Sequence, residues 1–322
     1  MKLSPGFAAS LMVAASVVTL QAQPNPQVAL NVVALDSAGN PVTDLTAADF
    51  AVFDNGARQQ ITALDLKQSA APHPLVILFD LMNLNMESRG AVENAMKISL
   101  AKLPANDSLY LYLLTEDGKL EPVHGLSSTA DPQWPKDAPA LLDAALRKVN
   151  QLRPQDIRSS SPIGLPVRFN ATSNALDAMR ARMSNLPGGK ELLWVTYGFP
   201  SSIRLAGNGW WDGTPLLRQV ATRFMQSEVT LYAADPGMNL TSGILNRDAL
   251  DILAAGTGGR AFATIDLDKA IAQIDANSRS NYSLVYQPAA KSRDGKYHKL
   301  RVTVARKGVR IQSENGYYAV GS

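Results

Sequence analysis

Leu75-Val76-Ile77-Leu78-Phe79-Asp80 is the stretch that decides the fold. Five apolar residues in a row, with no polar alternation, fit a strand covered on both faces, as in a parallel sheet flanked by helices. Downstream, Met86–Leu103 has a helical period and stops before Pro104. Ser108–Leu114 reads as the next strand, followed by a turn at Glu116-Asp117-Gly118. Pro139–Leu152 is helical, with Leu141, Leu142, Ala145, Leu146 and Val149 on one face and Pro139 at the first position. Arg153–Arg168 is rich in Ser and Pro and reads as irregular. Ser173–Leu186 is a helix closed by Pro187-Gly188-Gly189, and Glu191–Thr196 is a second buried-type strand. Gly198–Pro215 reads as a Gly/Trp loop, Leu216–Met225 as a helix and Glu228–Ala234 as a strand. Two further helices are read at Arg247–Ala255 and Leu267–Asn277. Strands alternating with helices at this spacing predict an α/β domain over residues 71–280, a doubly wound and mainly parallel sheet.

Both flanks have a different texture. Gln27–Ala34 is Val- and Leu-rich, Phe50–Asp54 alternates, and Asn55-Gly56 is a strong hairpin signal leading into Gln59–Leu66. At the other end Tyr282–Gln287, Tyr297–Ala305 and Val309–Gln312 read as strands, with a turn at Asp294-Gly295. Leu300, Val302 and Val304 share one face; Lys299, Arg301 and Thr303 share the other. Neither flank has enough strands to be stable by itself. The expectation is that residues 23–70 and 281–322 pair into one small β-sandwich, with the α/β domain inserted between them.

The 322 residues are 46% hydrophobic and 18% charged, enough for about two domains. There is no cysteine, which excludes disulfides, thiolate metal sites and thiol nucleophiles. Thirty-one basic residues against 28 acidic give a net charge of +3, with no run of Lys/Arg interleaved with aromatics. Nucleic acid is therefore not an expected partner. Residues 1–22 read as a secretory signal. Lys2 supplies the positive start, Phe7–Leu20 the apolar core, and Ala22 the small residue before polar, Pro-rich Gln23–Gln27. The apolar core is shorter than the ~20 residues a membrane span needs, and no later segment is long and apolar enough. The expected location is outside the cytoplasm, secreted or periplasmic, with no membrane segment left after cleavage.

No GxGxxG follows the first strand of the α/β region, and there is neither a GxxxxGK[ST] nor a Gly-x-Ser-x-Gly. His73, His124 and His298 have no metal-type spacing and read as surface or packing residues. Trp134 and Trp194 likewise read as packing residues.

Taken together, Gly39–Asp54 (GNPVTDLTAADFAVFD), Val76–Asn83 (VILFDLMN), Leu186–Pro200 (LPGGKELLWVTYGFP), Ala255–Phe262 (AGTGGRAF) and Asn281–Ala319 make the chain resemble the von Willebrand factor A-related proteins of the acidobacterial type. These stretches are spread over nearly the whole chain after residue 22. The resemblance implies a Rossmann-like A-domain with flanking strands, and little about biochemistry.

Von Willebrand A domains carry a divalent cation at the carboxyl ends of their strands, on an Asp-x-Ser-x-Ser loop, a Thr and a further Asp; such hard oxygen donors suit Mg²⁺. Asp80 stands at the first Asp of that pattern, but Met82 and Leu84 replace the two Ser, and Tyr197 stands where the last Asp is expected. Asn83, Asn85 and Thr172, the last placed just ahead of the third helix, are the residues from which a site could be rebuilt. The expectation is a metal-free remnant in which Asp80 accepts backbone N–H groups of its own loop. Trp210 and Trp211, flanked by glycines, together with Tyr197, are the candidate partner contacts. The leading reading is a protein-binding or scaffolding module outside the cytoplasm that is no enzyme and needs no cofactor. Its alternatives are a cation-dependent adhesion domain using Asp80, Asn83, Asn85 and Thr172, and an exported hydrolase using carboxylates around Asp80.

Overall fold

The computed structural model describes residues 27–70, 73–84, 86–104, 108–128, 134–150, 164–199, 201–204, 209–237, 244–288 and 294–319. Residues 1–22, expected above to be a secretory signal, Asn85 and most of the Ser/Pro stretch after Asn150 lie outside these residues.

In chain order, β1 (Val28–Leu35), β2 (Phe50–Asp54), β3 (Ala57–Gln59) and β4 (Ile61–Gln68) come first. There follow β5 (Leu75–Asp80), α1 (Met86–Ala101), β6 (Leu109–Leu114), β7 (Leu120–His124), α2 (Trp134–Asn150) and α3 (Gly164–Met183). Then come β8 (Lys190–Val195), β9 (Ser202–Arg204), β10 (Trp210–Asp212), α4 (Thr214–Gln226), β11 (Val229–Asp235) and α5 (Ile244–Gly256). The chain ends through β12 (Ala261–Ala263), α6 (Leu267–Arg279), β13 (Ser280–Tyr286), β14 (Tyr297–Val304), β15 (Arg310–Gln312) and β16 (Gly316–Tyr318).

The protein is mixed α/β. Its central six-stranded sheet has the order β12-β11-β8-β5-β6-β7 and is parallel except for β7, which runs antiparallel to β6. All six residues of β5 are buried because both faces are covered. Ile77 and Phe79 meet Val92 and Met96 of α1, Leu142 of α2 and Ile274 of α6. Val76 and Leu78 join Leu176 and Met179 of α3, Phe224 of α4 and Leu253 of α5. The unbroken apolar run of 75–79 thus answers to a three-layer arrangement.

Two four-stranded antiparallel sheets, β15-β1-β13-β4 and β16-β14-β2-β3, flank it. Strands from the two ends of the chain pair directly. Leu30 faces Leu284 in β1–β13, Leu64 faces Leu284 in β4–β13, and Val52 faces Val302 in β2–β14. The two sheets share one core of Leu30, Val32, Phe50, Val52, Tyr282, Tyr286 and Leu300. At the β2–β3 hairpin, Asn55 (φ 49°) and Gly56 (φ 83°) both lie in the left-handed region, as an Asn-Gly turn requires.

Three sequence readings need correction. The third helix begins at Gly164, so Thr172 lies within it and not ahead of it. Phe169, Thr172, Leu176, Met179 and Met183 form its buried face, at 3- and 4-residue spacing. Pro139 is interior to α2, because Trp134 begins the helix earlier and stacks on His124 at 4.4 Å. The Gly/Trp loop holds the hairpin β9–β10. Of the two readings open for His298, surface or packing, the structure has packing: it is buried between Asp54 (Nδ1 to Oδ1, 2.8 Å) and Asp294 (Nε2 to Oδ1, 3.2 Å).

Candidate functional site

Strand order reverses around β5, whose neighbours are β6 on one side and β8 on the other. Open α/β sheets hold ligands at such a switch point, outside the carboxyl ends of the strands. Asp80 ends β5 at this place and is fully buried.

Asp80 is enclosed by donors of the protein itself. Its Oδ1 accepts the backbone N–H groups of Met82 (2.9 Å) and Asn83 (3.0 Å). Its Oδ2 accepts Asn83 Nδ2 (2.7 Å), the Thr196 hydroxyl (2.9 Å) and the Trp194 indole N–H (3.0 Å). Asn83 Nδ2 also donates to Thr172 Oγ1 at 2.9 Å, and Thr172 lies 3.5 Å from Met82 Sδ. Burial pushes the Asp80 carboxyl up from its ordinary value, and these donors pull against that shift. Arg168, two turns of chain above Leu176 on α3, is the cation that feels the Asp80 charge. Burial pulls its guanidinium down, and Asp80 raises it.

The structure therefore brings together Asp80, Asn83 and Thr172. Tyr197 turns away from them. Its ring packs toward the α1/α2/α6 side and lies over Gly237, where an added Cβ would come within 2.7 Å of it. Asn85 lies outside the described residues. Met82 and Leu84 are buried and apolar, so neither supplies oxygen.

Sequence reasoning missed Trp194 and Thr196 as donors to Asp80, and Arg168 as a cation that feels its charge. The first two were findable: alternation puts Trp194 and Thr196, the residue that follows β8, on the same side of the chain, and β8 is adjacent to β5. Arg168 was hidden because its segment reads as irregular.

Aromatic rings connect this carboxylate to the surface hairpin. Trp194 lies 5.8 Å from Phe199, Phe199 4.9 Å from Phe169, and Phe169 4.7 Å from Trp211 at an interplanar angle of 84°. Gly213 seats Trp211, since a Cβ there would stand 2.7 Å from the indole and 2.8 Å from Phe169. Trp211 is thus folded inward, while its neighbour Trp210 is 68% exposed. Among the described residues no helix is long and apolar enough to cross a membrane, and no cluster of three His, Cys, Asp or Glu side chains is placed to hold a metal ion.

No family model and no curated protein matches the chain. Among solved structures, proximal thread matrix protein 1 from the mussel byssus is similar at 13% identity and a TM-score of 0.40, covering 70% of this chain and 51% of that one. A second crystal form of it gives a TM-score of 0.38. The esterase domain of a Rhodothermus marinus protein is similar at 12% identity and a TM-score of 0.25, over 70% of this chain and 99% of that one. The chain spans about half the length of the mussel protein, and likenesses this distant carry neither activity nor partner to it.

Proposed function

We propose that this chain is an exported, von Willebrand factor A-like protein-binding or scaffolding module that works without a metal ion. The observation that carries the reading is the full occupation of Asp80 by five protein donors. A Mg²⁺ ion needs anionic or lone-pair oxygens turned toward one point. Here both Asp80 oxygens take N–H or O–H groups, the Asn83 amide presents its NH₂ to Asp80, and the two Ser positions of the related pattern hold Met82 and Leu84. This donor set does not fit a divalent cation. It also leaves Asp80 no lone pair with which to serve as a general base toward a substrate, which supports binding over hydrolysis. Exposed Trp210, carried on a hairpin anchored by Trp211, supports a contact surface at the same end of the sheet.

The test is thermal unfolding in excess Mg²⁺, in Mn²⁺ and in EDTA. A cation bound only by the native state must raise the melting temperature by mass action. The expected result is the same melting temperature in all three. A rise with either cation that Asp80→Asn removes would replace this reading with cation-dependent adhesion.

A further inference from the structure

A cleft of about 420 Å³ lies where the β-sandwich meets the α/β domain, between Ala255–Arg260 on one side and the stretch Arg310–Asn315 on the other. Its volume is in the range of small-molecule sites, ~300–1,000 Å³. Three arginines line it: Arg260 just before β12, Arg301 on β14 and Arg310 on β15. Among the described residues none of the three has a carboxylate within ion-pair distance. Burial pulls the Arg260 guanidinium below its ordinary value, and the like charge of Arg310 adds to that. Holding like charges together without a counter-ion is unfavourable in the empty cleft. The single acid in the lining, Glu314, does not neutralise them. Both its oxygens face the Asn31 backbone N–H at 3.1 Å, and burial pushes it up to about 7.

Two of the guanidinium groups are held in place. Arg301 lies over the Phe53 ring at 4.2 Å, its cross-strand partner in β2–β14, and Arg260 lies over Phe262 at 4.4 Å. An aromatic face below a guanidinium fixes its plane and leaves its N–H edge free to donate.

We propose that this cleft is a binding site for a small oxyanion carrying at least two negative charges, a phosphate or a dicarboxylate. The fork of N–H donors on each arginine matches the paired oxygens of such groups. The site lies apart from Asp80 and does not depend on the function proposed above.

The experiment titrates the purified protein with sodium phosphate and, separately, with sodium succinate, against sodium chloride at matched ionic strength. It is read by calorimetry and by melting temperature. The expected result is saturable binding of phosphate or succinate with no equivalent effect of chloride. Arg260→Gln and Arg310→Gln each weaken it about tenfold or more, the scale of one lost charge-assisted hydrogen bond. Arg301→Lys, which keeps the charge and loses the fork, weakens it too. Arg306→Gln, whose parent side chain pairs with Asp44 outside the cleft, leaves it unchanged. Melting temperatures without added anion show that each variant is folded. Absence of saturable binding by both anions, an equal effect of chloride, or an equal loss in Arg306→Gln overturns the proposal.

Discussion

The indole N–H of Trp194 donates to Oδ2 of Asp80 at 3.0 Å, both residues being fully buried. A core aromatic is thereby also a polar anchor for the carboxylate at the switch point. Asp80→Ala would leave five donors without their acceptor in the interior. Breaking a buried charged network in this way costs about 3–5 kcal/mol, a fall in melting temperature on the order of 10 °C. Trp194→Phe removes one donor and some volume while four donors remain, and its cost is about 1–3 kcal/mol. Urea unfolding of the two variants measures the difference. Equal stability of Asp80→Ala and the parent would contradict the network.

The adjacent tryptophans of β10 should behave oppositely. Trp211 closes on Phe169 and Gly213, so Trp211→Ala loses packed aromatic area and costs roughly 2–3 kcal/mol. Trp210 is 68% exposed, so Trp210→Ala stays within about 0.5 kcal/mol of the parent. Gly213→Ala should resemble Trp211→Ala, because its Cβ would push into both rings. Unfolding midpoints decide this. A large loss in Trp210→Ala would mean that Trp210 packs in the protein's own fold and is not free for a partner.

What the sequence showed of this molecule depended on local signals. The apolar run 75–79 announced a strand buried on both faces, and the Asn55-Gly56 turn announced its hairpin, because each is written in consecutive residues. Trp134 at the start of α2 was not legible, since it is a tertiary contact with His124 that extends the helix over a sequence otherwise punctuated by prolines. The same holds for the candidate site. Asp80 stood out as the polar end of an apolar run, whereas from α3, some 90 residues away in the chain, Thr172 meets Asn83 of its loop and Arg168 feels its charge. The choice between surface and packing for His298 stayed open for a related reason: in an alternating hairpin strand only the position of Asp54 on the neighbouring β2 explains a buried imidazole.

Two carboxyl groups near the base of the sheet make stability depend on pH. Burial pushes Glu191 up to about 8 and Glu314 up to about 7, from an ordinary value of 4.5. Below 4.5 both are protonated in the folded and the unfolded chain. Between 4.5 and about 8 the unfolded chain releases these protons while the folded chain keeps them, so stability falls as pH rises through this window and levels off above it. Glu191→Gln cannot ionise, and its stability should decline less from pH 5 to pH 8 than the parent's. Chemical unfolding at several pH values tests the slope. A parent whose stability rises over this window on account of Glu191 would contradict the assignment.

A buried polar network also links the two ends of the chain. Asp54, from β2, accepts the Tyr286 hydroxyl at 2.9 Å and the Tyr317 hydroxyl at 3.3 Å on Oδ2, while its Oδ1 meets His298 Nδ1 at 2.8 Å. All four side chains are buried, and three of them come from the C-terminal strands. One N-terminal carboxylate thus organises partners more than 230 residues away. Asp54→Ala leaves two hydroxyls and an imidazole without their acceptor and should cost about 3–5 kcal/mol. His298→Ala removes one partner and leaves Asp54 held by both tyrosines, so its loss is smaller, about 1–3 kcal/mol. Deleting residues 23–67 removes β1, β2 and β3 and nearly all of β4, which strips β13 of both neighbours and β14 of one. Amide hydrogen exchange of the deleted chain should show β13 and β14 unprotected. Because the helices of the α/β domain pack on their own cores, β5 and β8 should keep slower exchange than the tail. Protection of β13 undiminished by the deletion would mean that the C-terminal strands hold together without the N-terminal segment, and that the Asp54 network only decorates a fold secured elsewhere.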